Sequence, residues 1–148
     1  MFENLDLIRD LERQREQIAK IEAHICEPLL SELSYIQTIW DTIKAYGHKD
    51  KTEERMFFIF ITLLFYAPKK LVVGARLCKR LMNELCKLTK CRQSLLSHNS
   101  ENLMFYYQKY NLFHDNVDIL LDKVTSSLVT AGVNGTRITE YLYKFNKY

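Results

Sequence analysis

The chain has 148 residues, of which 47% are apolar and 12% aromatic, and it contains only four glycines and two prolines. That composition is too hydrophobic for a disordered protein, and it offers too few turn residues for a β-sandwich or a β-barrel. We therefore expect an all-α protein. The net charge of +3 is unevenly distributed: seven basic and twelve acidic residues in 1–54 give −5, whereas ten basic and two acidic residues in 55–110 give +8. This division indicates a polyanionic partner for the middle of the chain.

The N-terminal sequence MFENLDLIRD has neither the basic nor the apolar region of a signal peptide. We therefore expect a protein of the cytoplasm, in a bacterium or a phage-infected host cell. The longest apolar stretch, Met56–Ala67, is shorter than the roughly 20 residues that span a bilayer, so we expect no membrane contact. The four cysteines lack a complete zinc-binding pattern, and we interpret them as free thiols, without a metal or a cofactor.

Residues 1–27 are predicted to form an acidic amphipathic helix, which Pro28 ends. Apolar residues recur there at alternating steps of four and three, which is typical of a coiled coil. This heptad seam consists of Leu7, Leu11, Gln14, Ile18, Ile21 and Ile25. Gln14 is its polar member, and such a residue fixes register at some cost in stability. Two interpretations remain open: the helix is an arm through which copies of the chain associate, or it packs on its own domain.

A single helical domain is predicted for residues 28–148. The periodicity of apolar side chains predicts helices at about 29–46, 53–66, 75–88, within 93–110 and at 112–130. Gly47 fits the end of the first of these helices and Thr52 the start of the second, whereas residues 67–74 are predicted to form a connection. The helix at 53–66 is apolar on nearly all sides and is expected to be the most buried. Residues 131–148 fit either a helix capped by Thr136 or a β-hairpin across Asn134-Gly135.

The most informative stretch is 69–92, which has eight basic residues and one acidic residue, Glu84. If residues 75–90 are wound as a helix, leucines occupy one side and a positive stripe occupies an arc of about 100° on the other. That stripe consists of Arg76, Lys79, Arg80, Asn83, Lys87 and Lys90. A positive stripe without interleaved acidic residues is typical of a surface that binds a phosphate backbone. A solvated helix face and contact with an acidic protein surface, such as the chain's own arm, remain as alternatives.

The sequence NELCKLTKCRQSLLSHNSEN, at 83–102, resembles a helix-turn-helix. The features that match are Leu85 and Cys86 in the first helix, Cys91 just after the turn, and Gln93-Ser94 and Leu96 in the second helix. Over about 75–110 the chain is similar to small helix-turn-helix DNA-binding proteins of phages and mobile elements, the small terminase subunits included. The resemblance implies a second helix that enters the major groove of duplex DNA.

Three residues depart from the pattern of that family. Thr89 and Lys90 stand where the turn usually has an apolar residue and a glycine. Asn99 is polar at an inward position, which leaves open whether the second helix is continuous through it.

The resemblance and the positive stripe together predict two sets of DNA-binding residues. Those expected to contact phosphates are Lys69, Lys70, Arg76, Lys79, Arg80, Lys87 and Lys90. Those expected near base edges are Arg92, Gln93, Ser94, Ser97 and His98.

No sequence string typical of a nucleotide-binding loop or of a hydrolase is present, and the four histidines lie in different segments. We interpret His114, with Asp115 and Asp118, as a surface pair. We therefore predict a DNA-binding protein without catalytic activity, either a transcriptional regulator or a factor for phage DNA packaging. The alternative is a phage or mobile-element structural or adaptor protein that acts through protein–protein contacts and helical self-association.

Overall fold

The computed structural model describes the backbone of residues 3–147 and the side chains of residues 3–145. Within this range the chain forms nine helices and no strand, which confirms the all-α class. The helices are α1 (Glu3–Ile25), α2 (Ser34–Tyr46), α3 (Lys51–Tyr66), α4 (Pro68–Val73), α5 (Lys79–Thr89), α6 (Gln93–Ser100), α7 (Leu103–Lys109), α8 (Asn111–Thr130) and α9 (Gly135–Lys147). No helix in residues 3–147 combines the length and the apolar character needed to cross a bilayer.

The central helix is α3, as its apolar sequence predicts. Every residue from Phe57 to Phe65 is buried. The helix begins two residues earlier than expected because the Asp50 carboxylate, and not Thr52, provides the cap. This carboxylate accepts hydrogen bonds from the backbone N–H groups of Thr52 at 2.9 Å and Glu53 at 3.3 Å. Helices α2 and α8 pack on each other and on α3.

Helix α2 begins at Ser34, later than predicted. The backbone N–H groups of Leu29 and Leu30 both donate to the carbonyl oxygen of Phe65 at 3.1 Å, so the preceding segment closes the end of α3 instead of extending α2. Gly47 ends α2 in the left-handed conformation, with φ of 79°, which confirms the predicted stop.

Two predicted segments between α3 and α8 are corrected. The expected connection at 67–74 contains α4, because Pro68 occupies the first helical turn, where its missing N–H costs nothing. The predicted helix at 75–88 begins only at Lys79, after an irregular segment. Within 93–110, where the sequence leaves the continuity of the helix open, α6 ends at Ser100, and Asn102, with φ of 60°, comes just before α7.

The C-terminal segment is a helix, so the β-hairpin interpretation is wrong. The Asn134 side chain accepts hydrogen bonds from the N–H groups of Thr136 at 2.9 Å and Arg137 at 3.2 Å. Asn134 therefore caps α9 in place of Thr136, and the Asn-Gly pair opens a helix instead of turning a hairpin. Tyr148 lies outside the described residues.

Helix α1 has no buried residue, and it packs against α4. Ala19, Glu22, Ala23 and Cys26 surround a shallow depression together with Lys69 and Val73 of α4. The heptad seam is therefore not covered by the chain's own domain.

Candidate nucleic-acid interface

Helix α5 separates charged and apolar residues as the sequence predicts. Leu81, Met82 and Leu85 are buried against the core, whereas Lys79, Arg80 and Lys87 are exposed. Asn83 is also exposed and lies between them on the same arc. The leucine side fixes the rotation of the helix, so the three cations point away from the domain.

Arg76 does not belong to this helix. Residues 74–78 are irregular: Gly74 ends α4 in the left-handed conformation, with φ of 70°, and Cys78 is extended just before α5. Arg76 is exposed in this connection, ahead of the helix that carries Lys79. The positive stripe on the helix therefore begins at Lys79 and is shorter than the predicted stripe over 75–90. Arg76, its first predicted cation, lies on irregular backbone before the helix.

A turn of three residues joins α5 to α6. Lys90 adopts the left-handed conformation, with φ of 57° and ψ of 33°, which is the backbone region that glycine enters most readily. The Thr89 hydroxyl donates to the Leu85 carbonyl oxygen at 2.7 Å, and the Cys91 thiol donates to the Thr89 carbonyl oxygen at 3.4 Å. These local bonds and the partial burial of Cys91 hold the turn, while Lys90 and Arg92 stay exposed.

Helix α6 is short, and it has one inward and one outward side. Leu96 and Asn99 are buried. Its outward residues are Gln93, Ser94 and His98, which are exposed, and Ser97, which is partly buried. At 100° per residue these four side chains lie within an arc of about 140°, so the structure brings together four of the residues predicted near base edges.

The inward asparagine of α6 has a partner in the core helix. The Arg55 guanidinium Nε donates to Asn99 Oδ1 at 3.4 Å, and Arg55 Nη2 donates to the Thr52 hydroxyl at 3.2 Å. Asn99 therefore does not interrupt α6; it anchors the helix to α3 through a polar contact that replaces an apolar one. The break comes three residues later, at Asn102.

The basic residues of 69–92 form no ion pair with any carboxylate among the described residues. Glu84, the only acidic residue of this stretch, is partly buried. His98, by contrast, lies 3.9 Å from Glu101, measured from Nδ1 to Oε2, with both side chains largely exposed. The cations of α5 and the turn are thus available to an external anion, whereas His98 has an acidic neighbour.

Lys69 and Lys70 of α4 have different surroundings from the cations of α5. Lys69 faces the base of α1 in the depression that contains Glu22. Lys70 lines a groove with Leu103 and Phe105 of α7. Lys69 therefore lies beside α1 and Lys70 beside α7, and neither belongs to the positive stripe of Lys79 and Lys87 on α5.

The structure adds cations that the sequence pattern does not connect to this region. A groove of about 310 Å³ next to Lys90 is lined by Lys44 of α2 and by Lys51 and Arg55 of α3. Lys51 is paired with the buried Glu54 at 3.8 Å, and Lys44 with Asp41 at 3.8 Å, so both are partly neutralised. Their separation in sequence from Lys90 concealed them, because a helical wheel shows only neighbours on one helix.

The His114 cluster ties α7 to α8. His114 Nδ1 lies 3.4 Å from both Asp115 Oδ1 and Asp118 Oδ2, and the Tyr107 hydroxyl donates to Asp118 Oδ1 at 2.9 Å. Burial, together with this hydrogen bond, raises the pKa of Tyr107 to about 12. Among the described residues, no three His, Cys, Asp or Glu side chains are placed to hold a metal ion.

No protein-family model matches this chain, and no curated protein or solved structure is significantly similar to it.

Proposed function

We propose that this protein binds duplex DNA, without catalysis, through the surface formed by α5, the turn at 90–92 and α6. The observation that carries the proposal is the set of unpaired, exposed cations on one side of α5 and in the turn. Like charges repel one another when they share a helix face, and no carboxylate among the described residues lies within ion-pair distance of these cations. A phosphate backbone offsets it and releases counterions when it binds.

The order of elements supports a helix-turn-helix mode of binding. In that mode the first helix lies across the backbone and the second presents its N-terminal residues to base edges in the major groove. Lys79, Arg80 and Lys87 occupy the first position, and Gln93 and Ser94 open the second helix. The left-handed Lys90 takes the conformation for which the motif ordinarily uses glycine.

The length of α6 sets an expectation for specificity. A helix of eight residues is only about 12 Å long, so few of its side chains reach base edges at once. Most of the affinity then comes from phosphate contacts and depends steeply on salt. Base recognition by Gln93, Ser94, Ser97 and His98 contributes a smaller preference among sequences.

The test is the combined substitution Lys79→Glu and Lys87→Glu, measured by fluorescence anisotropy with labelled duplex DNA across a salt series. We expect binding to be lost at low salt. The single substitution of either lysine by alanine should reduce the slope of log K against log salt by about 1.

The matched control is Lys109→Glu with Arg137→Glu, which makes the same charge change at exposed positions on α7 and α9 and should leave most of the binding intact. Equal binding by the Lys79, Lys87 variant and the wild-type chain would contradict the proposal.

The proposed activity suits a transcriptional regulator or a DNA-packaging factor in the cytoplasm of a bacterial or phage-infected cell. A structural or adaptor protein is the second candidate, favoured by the uncovered seam of α1. The two candidates differ in one measurement, because an adaptor that acts through protein contacts has no reason to bind duplex DNA at near-physiological salt.

A further inference from the structure

The apolar seam of α1 is exposed along almost its whole length. Leu7, Leu11, Ile18 and Ile21 are 60%, 52%, 56% and 39% exposed. Ile25, at the end that meets the domain, is partly buried. Such a row of large aliphatic side chains at heptad spacing is costly to leave in water.

The domain contacts a different side of this helix. Ala19, Glu22 and Ala23 of α1, and Cys26 just after it, line the depression that α1 forms with α4. At 100° per residue their mean direction lies about 110° around the helix axis from the mean direction of the seam. A second helix can therefore lie along the seam without displacing the domain from α1.

We propose that a second copy of this chain covers the seam, as a parallel, in-register, two-stranded coiled coil over residues 4–25. The pattern assigns Leu11, Ile18 and Ile25 to heptad position a, and Leu7, Gln14 and Ile21 to position d. This inference does not depend on DNA binding. If the chain both dimerises and binds DNA, the dimer carries two DNA-binding surfaces.

Gln14 specifies the orientation. In a parallel, in-register pair the two Gln14 amides face each other across the seam and can exchange hydrogen bonds. In the antiparallel pair that best overlaps the two seams, Gln14 faces Ile18 and loses its partner. A buried amide without a hydrogen bond is strongly unfavourable, so the polar residue selects the parallel form.

The flanking charges select the same form. Asp10 is at position g and Arg15 at the following position e, and neither forms an ion pair among the described residues. In a parallel pair, Asp10 of each copy faces Arg15 of the other, which gives two attractive contacts. The antiparallel pair instead places the two Arg15 side chains opposite each other.

The charge of α1 argues against a lipid surface as the occupant of the seam. Helices that lie in a membrane interface are rich in lysine and arginine on their polar face. Helix α1 has six acidic and four basic residues, and is therefore net negative. A second acidic helix that offers Asp10 and Arg15 in complementary positions fits the seam better.

Orientation is tested in the full-length chain by disulfide cross-linking of Leu7→Cys, with Cys78→Ser included to remove the exposed native thiol. In a parallel dimer the two residues at position 7 are adjacent and cross-link to each other. In the antiparallel alignment they are about 27 Å apart, beyond the reach of a disulfide, and position 7 meets position 25. Arg9→Cys, on the far side of the helix, is the matched control. Cross-linking of Leu7→Cys only to an Ile25→Cys chain would overturn the proposal.

Charge reversal tests the pairing with a rescue. Asp10→Arg or Arg15→Asp alone should weaken the dimer about tenfold in sedimentation analysis, because each replaces two attractions by two repulsions. The double reversal should restore wild-type dimerisation.

Leu11→Asp with Ile18→Asp should give a folded monomer, because both side chains are solvent-exposed in the single chain. A wild-type chain that is monomeric at every concentration, or one that is trimeric, would overturn the proposal, and so would a failure of the double reversal to rescue.

Discussion

The Lys144 ammonium group donates a hydrogen bond to the Glu27 carbonyl oxygen at 2.7 Å, and so joins the last helix to the segment that follows the first. It also donates to the His24 carbonyl oxygen at 3.0 Å, within the last turn of α1, and lies 4.0 Å from the Tyr141 ring centroid. A cation at a helix C-terminus satisfies carbonyl groups that have no partner within the helix. This lysine is only 8% exposed, so it fixes the base of α1 from inside the domain.

Replacement of Lys144 by methionine should therefore weaken the attachment of α1 to the domain without unfolding α1 itself. We expect a loss of about 1–3 kcal/mol in the free energy of unfolding, because two carbonyl oxygens lose a charged donor. Amide hydrogen exchange should accelerate at residues 20–27 more than in α3. The control is Lys49→Met, which removes an exposed lysine between α2 and α3 and should change stability by no more than about 0.5 kcal/mol. Unchanged exchange at residues 20–27 in Lys144→Met would show that the bond does not hold the arm.

Lys90 provides a second prediction, because a lysine in the left-handed region is strained. We expect Lys90→Gly to stabilise the protein by about 0.5–1 kcal/mol, since glycine adopts this conformation without the Cβ clash. The matched control is Lys87→Gly, which removes the same charge from inside α5 and should destabilise by about 1 kcal/mol. Urea unfolding checks both values. Both variants should weaken DNA binding slightly, and a destabilised Lys90→Gly would contradict the assigned backbone conformation.

The elements that follow from local pattern could be predicted from the sequence, and those that depend on distant partners could not. The apolar run of α3 and the stripe of α8 are visible in the sequence, as is the exposed side of α5, because each depends on residues within one helix. The Lys144 bonds connect residues more than 100 positions apart, and the groove next to Lys90 joins three helices. Neither leaves a periodic signal.

Short helices and caps explain the other differences. Helix α4 has six residues, too few to show a periodicity, and its proline suggested a connection. The Asn134-Gly135 pair fits a turn as well as a helix start, because the asparagine side chain can also accept hydrogen bonds from the free N–H groups of a first helical turn. The apolar residues of α9 decided between these outcomes, since Ile138 and Tyr141 are buried in the core.

The contact between Arg55 and Asn99 yields a prediction that connects stability to the DNA-binding surface. Asn99→Ala should cost about 1–2 kcal/mol, because it leaves a cavity and removes one partner of Arg55. The change should also weaken DNA binding, because α6 is positioned by this contact. A double-mutant cycle with Arg55→Met measures the coupling, which we expect to exceed about 0.5 kcal/mol. Strictly additive effects would mean that the two side chains do not interact.

Tyr107 makes stability dependent on alkaline pH. Its pKa is raised to about 12 by burial and by the hydrogen bond to Asp118, above the ordinary value of 10.0. The folded protein therefore keeps the phenol proton at a pH where the unfolded chain has lost it. This contribution is fully present below pH 10 and declines as the pH rises from 10 toward 12.

Urea unfolding at several pH values should show this decline. Tyr107→Phe should make it shallower, because phenylalanine has no proton to lose. Tyr143→Phe, at an exposed tyrosine, is the control and should retain the wild-type decline. An identical decline in the Tyr107 variant would contradict the assignment.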